Sequence, residues 1–216
     1  SQLGRFDEAS HLYIKGIKNR PDYAIAYSNL LFNLNFKNNF DQKLYLSWAE
    51  KFVQNCKKFK NKNLKYNYDE KPKKLKIGCV SGDFGEHPGG HFTLSTLRKL
   101  SKQNFELVCY STNDRKDNIS RQFKNLFFKW NSIENKSDKE VVGQILEDKI
   151  HILIDMQGHS ARNRLPIFFY KAAPIQATWL GQGSSGILEI DYFIGSPETT
   201  PKEEEKYYVE KVLRLP

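Results

Sequence analysis

Along residues 1–56 the apolar positions recur every three or four residues. They run Leu3, Phe6, Ala9, Leu12, Tyr13 and Ile17, then Tyr23, Ala26, Tyr27, Leu30, Leu31 and Leu34, then Leu44, Trp48, Ala49, Phe52 and Val53. That period predicts three amphipathic helices. Asn19-Arg20-Pro21-Asp22 separates the first from the second, as a proline past a helix end does. From residue 74 the pattern changes. Short apolar runs at 75–81, 106–110, 151–155, 175–180 and 192–195 alternate with helical runs at 92–100, 119–127, 139–148 and 165–171. Ser137 followed by Glu140 is a capping box at the start of the third of these helices. Apolar strands separated by helices predict a parallel sheet covered on both faces. The fold class is therefore α/β, a doubly wound, Rossmann-like sheet preceded by α-helices, with ligands expected at the carboxyl ends of the strands.

Composition sharpens this in one place. The 216 residues are 39% hydrophobic and 27% charged, which fits a folded globular chain. There are 34 Lys and Arg against 25 Asp and Glu, a net charge of +9. Residues 57–76 alone hold nine lysines against Asp69 and Glu70. Such a run reads as a solvated linker between two folded parts, and its scarcity of arginine argues against base or phosphate readout. No nucleic-acid partner is expected. Cys56, Cys79 and Cys109 are three, widely spaced, and suit neither a disulfide framework nor a zinc site. No apolar run reaches the ~20 residues of a membrane span, so no membrane partner is expected and a cytoplasmic location is. Leu3-Gly4-Arg5-Phe6-Asp7-Glu8-Ala9, Tyr13 and Pro21-Asp22-Tyr23-Ala24 resemble the end of one tetratricopeptide repeat (TPR) and the start of the next. A lone repeat cannot bury its own face, so the chain is expected to be a piece of something longer. The division expected is a helical segment at 1–56, a basic linker at 57–74 and a Rossmann-like lobe at 75–216.

The chemistry gathers at three strand ends. Residues 81–91 (SGDFGEHPGGH) contain four glycines, Asp83, His87 and His91, and open a helix. Glycines let backbone N–H groups approach a ligand, and a helix N-terminus favours an anion. The glycine spacing matches neither a P-loop nor a dinucleotide fingerprint. Asp83, His87 and His91 lack the spacing typical of a zinc site, and no metal is expected. Asp155-Met156-Gln157-Gly158-His159-Ser160 and Trp179-Leu180-Gly181-Gln182-Gly183-Ser184-Ser185-Gly186 end two further strands. Three polar, glycine-bearing ends at one edge of a sheet point to a pocket for a polar, phosphorylated ligand.

These residues resemble the O-linked N-acetylglucosamine (O-GlcNAc) transferase family, including its SPINDLY-like and bacterial members. The resemblance rests on Lys76–Phe84 with His87-Pro88 and His91, on Ile152–Asp155 with Gly158-His159, and on Ala173–Gly181, with Asp191-Tyr192 and Glu210–Pro216 in agreement. It implies a metal-independent, inverting glycosyltransferase of the two-lobed GT-B kind. This chain would be the end of the repeat array plus the N-terminal lobe, and the C-terminal lobe, which holds most UDP contacts, would follow Pro216. The fragment alone is then expected to be nearly inactive.

By the same resemblance, His87 is the histidine at the sugar and acceptor hydroxyl, Asp83 an alternative base, and His91 a second histidine of the loop. Pro88, Gly89, His159, Leu180, Gly181 and Gln182 are expected at the substrate. The implied donor is UDP-GlcNAc, with protein or peptide acceptors, partners held by the TPR segment and no cofactor. Gln182-Gly183 stand where the family commonly has Tyr-Pro, and Gly89-Gly90 replace bulkier residues. These departures leave a GDP-fucose donor open; a repeat-based interaction scaffold with a non-functional catalytic lobe is the alternative of a different class.

Overall fold

The computed structural model describes residues 4–56, 66, 68–69 and 71–216. Most of the basic stretch 57–74 read as a linker lies outside these residues. Tyr66 and Tyr68, within it, are described: Tyr66 Oη donates to Ala173 O at 3.2 Å and the Tyr68 ring lies tilted against His151, 5.6 Å between centroids.

Helices α1 (Phe6–Asn19), α2 (Ala24–Leu34) and α3 (Gln42–Cys56) match the three apolar runs. Asn33 of α2 donates to Phe6 O at 2.7 Å and to Ser10 Oγ at 2.8 Å, tying the second helix to the first. The α/β part runs β1 (Leu75–Ser81), α4 (Pro88–Leu100), β2 (Phe105–Ser111), α5 (Asn118–Leu126), β3 (Lys129–Ser132), α6 (Asp138–Glu147), β4 (Ile152–Asp155), β5 (Ile175–Trp179), β6 (Tyr192–Gly195) and β7 (Lys211–Arg214). Residues 165–171, expected as an α-helix, form a 3-10 helix at Leu165–Tyr170 with Pro166 in its first turn. A second 3-10 helix spans Lys202–Tyr207. Strands β3 and β7 were not expected: four residues with lysines among them carry too little apolar pattern to stand out. The predicted capping box forms, with Ser137 and Glu140 each bonding the other's backbone N–H.

The seven strands are all parallel, in the order β3-β2-β1-β4-β5-β6-β7. This is the doubly wound order, and it reverses between β1 and β4, which is where such sheets bind ligands. One face packs Ile77, Cys79, Leu107 and Cys109 against Phe84, Leu94, Leu97 and Phe123 of the α4–α5 side. The other packs Val80, Val108, Tyr110 and Leu153 against Val141, Ile145, Phe168 and Phe169. The helical segment joins this second core: Leu30, Leu31, Tyr45, Ala49 and Phe52 belong to the same buried cluster. Phe52 lies 5.5 Å from the Phe169 ring.

Candidate active site

The loop after β1 turns sharply because Gly90 lets it. A Cβ there would lie 2.2 Å from Gly85 O and 2.5 Å from Asp83 O, so the 83–85 backbone folds directly onto the start of α4. His87 is the N-cap of that helix, Pro88 holds its first position, and His87 Nδ1 accepts from Gly89 N–H at 3.1 Å. Asp83 Oδ1 stands 3.4 Å from the same nitrogen. Behind them, the Arg115 guanidinium donates to Gly82 O at 3.2 Å and to Glu86 O at 3.1 Å. Asp117 caps α5 and accepts from Glu86 N–H at 2.9 Å, and these backbone bonds hold its carboxyl below the usual range.

Asp83, His87 and Gly89 face the loops after β4 and β5 across a cavity of about 600 Å³, with Gln157, Arg162, Leu180 and Gln182 on the far walls. A second cavity, of about 650 Å³, opens beyond Leu180 and Gln182 over the ends of β5 and β6, between Phe92, Trp179, Gly181 and Phe193. Among the described residues Tyr208 is its only titratable lining group, whereas Asp83 and His87 line the first cavity. Leu180 sits at φ +71° and Arg162 at φ +63°, left-handed conformations that cost energy in non-glycine residues and concentrate at functional sites.

The structure thus brings together Asp83, His87, Gly89, Leu180 and Gln182 of the expected residues. Gly181 faces the second cavity, and Pro88 serves as the first residue of α4. His91 does not join the cavity. It is exposed and its Nε2 lies 2.7 Å from Glu86 Oε1. His159 is buried in the seam between helices and sheet, where it lines a small cavity with Gln157 and Gln182, residues that also line the first cavity. Its Nδ1 meets Ser28 Oγ at 3.0 Å, its Nε2 meets Ser185 O at 3.1 Å, and its ring stands edge-on to Phe52. Burial pushes its pKa down to about 4, so it is neutral near pH 7.

The same seam fixes the 183–186 loop. Tyr45 Oη donates to Ser184 O at 3.0 Å, and buried Glu210 accepts from Ser184 Oγ and Ser185 N–H, each at 2.7 Å. Gly158, at φ +55°, packs on Gly181: a Cβ there would be 2.9 Å from Gly181 Cα.

Two residues that tie the strand-end loops together were read from the sequence only as part of a polar strand end, with no role of their own. Gln157 bridges the β1 and β4 loops, accepting from Gly82 N–H at 2.8 Å and donating to Asp83 Oδ2 at 3.3 Å. Asp155, buried at the end of β4, accepts from Thr178 Oγ1 at 2.6 Å, Gly158 N–H at 2.9 Å and Gln157 N–H at 3.2 Å. Burial pushes its pKa up to about 6 against the pull of these donors. The position of Asp155 and Gln157 at a strand end was the available signal, but their partners lie elsewhere in the chain. The Ala-Pro-Ile-Gln motif, by contrast, is a buttress: Gln176 donates from Nε2 to Phe168 O and Glu189 O, each at 2.9 Å, and from its N–H to Asp191. Among the described residues no three His, Cys, Asp or Glu side chains gather to hold a metal ion. No helix among them is long and apolar enough to cross a membrane.

Residues 21–216 match the description Glycosyl transferase family 41. A SPINDLY protein of Oryza sativa subsp. japonica, named a probable UDP-N-acetylglucosamine–peptide N-acetylglucosaminyltransferase, is 31% identical over 94% of this chain and 23% of its own length. The SEC protein of Arabidopsis thaliana, of the same naming, is 33% identical over 67% of this chain and 15% of its own length. Among solved structures, the K341M mutant of the Thermobaculum terrenum O-GlcNAc transferase superposes with a TM-score of 0.89 at 26% identity, over 98% of this chain and 41% of that one. The chain therefore spans less than a quarter of the length of these curated relatives.

Proposed function

The chain belongs to glycosyl transferase family 41, and from that premise we propose that its protein is an inverting protein O-glycosyltransferase moving N-acetylglucosamine from UDP-GlcNAc to Ser or Thr. The observation that carries this is the cavity at the β1–β4 switch point, with Asp83 and His87 held 3.4 Å apart on its wall. In the transfer, the acceptor hydroxyl oxygen bonds to the anomeric carbon and the bond from that carbon to the diphosphate breaks. UDP leaves with the electron pair, and the hydroxyl proton passes to a base. Because Gly89 N–H donates to His87 Nδ1, a neutral His87 carries its proton on Nε2. It is then a hydrogen-bond donor that orients substrate, and Asp83 is the proton acceptor. The same reading makes the reaction metal-independent, places the protein in the cytoplasm and assigns the helical segment to a repeat array that holds protein partners. The 216-residue chain alone is proposed to give little or no transfer.

The test uses the full-length gene product. Asp83→Asn should bind the nucleotide sugar and fail to transfer it, and EDTA should leave the wild-type rate unchanged. Undiminished transfer by Asp83→Asn sinks the assignment of the base.

A further inference from the structure

Gln157 lies after β4 with its side chain buried, and its neighbours fix which way the amide points. Gly82 N–H needs an acceptor at 2.8 Å, which only Oε1 supplies. The Ala161 carbonyl needs a donor at 3.1 Å, which only Nε2 supplies. A flipped amide would set two donors against each other at Gly82 and two acceptors at Ala161. Nε2 is therefore the atom that reaches Asp83 Oδ2 at 3.3 Å, while Asp83 Oδ1 faces His87 Nδ1. Among the described residues, the other charged and titratable groups around the pair and Gln157 are Arg115 on the β2–α5 loop, Arg162 on the loop after β4, Asp117 at the head of α5, the Glu86–His91 pair on the outer side of the loop, and buried Asp155 at the end of β4, which accepts from Gln157 N–H.

We propose that Gln157 is a positioning residue for the Asp83–His87 pair. Its amide occupies Oδ2 and leaves Oδ1, on the His87 side of the carboxylate, free for the incoming proton. The proposal rests on reading the cavity as the transfer site. It requires an amide at 157 and excludes a carboxylate of the same shape, because a second anion beside Oδ2 makes the two carboxylates share a proton.

Two variants test it. Gln157→Glu keeps the shape and the acceptor for Gly82, and Gln157→Met keeps volume with neither bond. Asp83 titration is followed in the 216-residue chain by the 13Cγ signal of labelled aspartate, assigned by its loss in Asp83→Asn. Gln157→Glu should raise the Asp83 midpoint by about one pH unit, a tenfold change in proton affinity, and Gln157→Met should raise it by less. In the full-length gene product the acid limb of kcat/KM should move up with it in Gln157→Glu. Gln157→Met should lower kcat at least tenfold while moving that limb less. A merely structural residue would lower the rate in both variants and leave the limb in place.

An Asp83 midpoint in Gln157→Glu equal to wild type overturns the proposal. If Gln157→Glu does not fold, an undiminished kcat in Gln157→Met overturns it instead. If the midpoint moves as expected but the full-length wild type transfers no sugar, the contact stands and the reading of the cavity fails.

Discussion

Replacing His159 with phenylalanine should change how stability depends on pH, and the sign follows from burial. The folded-state pKa of His159 is held down to about 4 from its ordinary 6.5. Between those values the unfolded chain binds the proton and the folded chain does not. The stability due to neutral His159 is thus fully present above pH 6.5 and is lost as pH falls toward 4. The gap between 6.5 and about 4, at about 1.4 kcal/mol per pH unit, comes to about 3 kcal/mol. Asp155 acts in the opposite direction. Its folded pKa stands at about 6 against an ordinary 3.8, so its contribution is present below 3.8 and lost as pH rises through 6, by about 3 kcal/mol. Buried Glu210 is raised too and shares that sign.

The opposing slopes flatten the wild-type profile between pH 4 and 6. His159→Phe keeps a ring against Phe52 but strands Ser28 Oγ and Ser185 O, a pH-independent cost of about 1–3 kcal/mol. Urea unfolding of both proteins at pH 4, 5, 6 and 7 gives the stability difference directly. Wild type minus variant should shrink by about 3 kcal/mol from pH 7 to pH 4. A difference constant to within about 0.5 kcal/mol would refute the claim that His159 is buried and neutral in the seam.

The remaining predictions concern the loops that frame the cavity. Gly90→Ala should destabilise by about 1–3 kcal/mol in urea unfolding, since its Cβ meets backbone atoms that cannot turn aside. Gly143→Ala on α6, where a Cβ meets nothing within 4 Å, should instead gain about 0.5–1 kcal/mol. Tyr45→Phe should cost about 1 kcal/mol and speed amide hydrogen exchange at Ser185, Gly186 and Ile187, with α4 amides unchanged.

The parts of the molecule that read directly from sequence are those whose cause is local. The 3.6-residue period of α1–α3, the apolar strands β1, β2 and β4, and the Ser137–Glu140 box each carry their signal within a few residues. Asp83 and His87 were legible for the same reason, as a short glycine-rich loop after a strand. Gln157 was not, because its meaning arises when β4 pairs beside β1 and brings it to Asp83, 74 positions away in the chain. His159 was expected at the substrate from the family resemblance and its strand-end position. Its partner Ser28 lies 131 residues earlier, on a helix whose packing against the sheet no local pattern announces. His91 shared the motif with His87, yet one turn into α4 its side chain faces outward to Glu86.

The central claim is that the cavity at the β1–β4 switch point transfers N-acetylglucosamine to protein hydroxyls. The most direct test incubates the full-length gene product with UDP-GlcNAc, or in parallel GDP-fucose, and a Ser/Thr peptide, and reads the peptide by mass spectrometry. Addition of one N-acetylhexosamine from UDP-GlcNAc, lost in Asp83→Asn, is the expected result. Addition of a deoxyhexose from GDP-fucose, or N-acetylhexosamine transfer undiminished in Asp83→Asn, would contradict it.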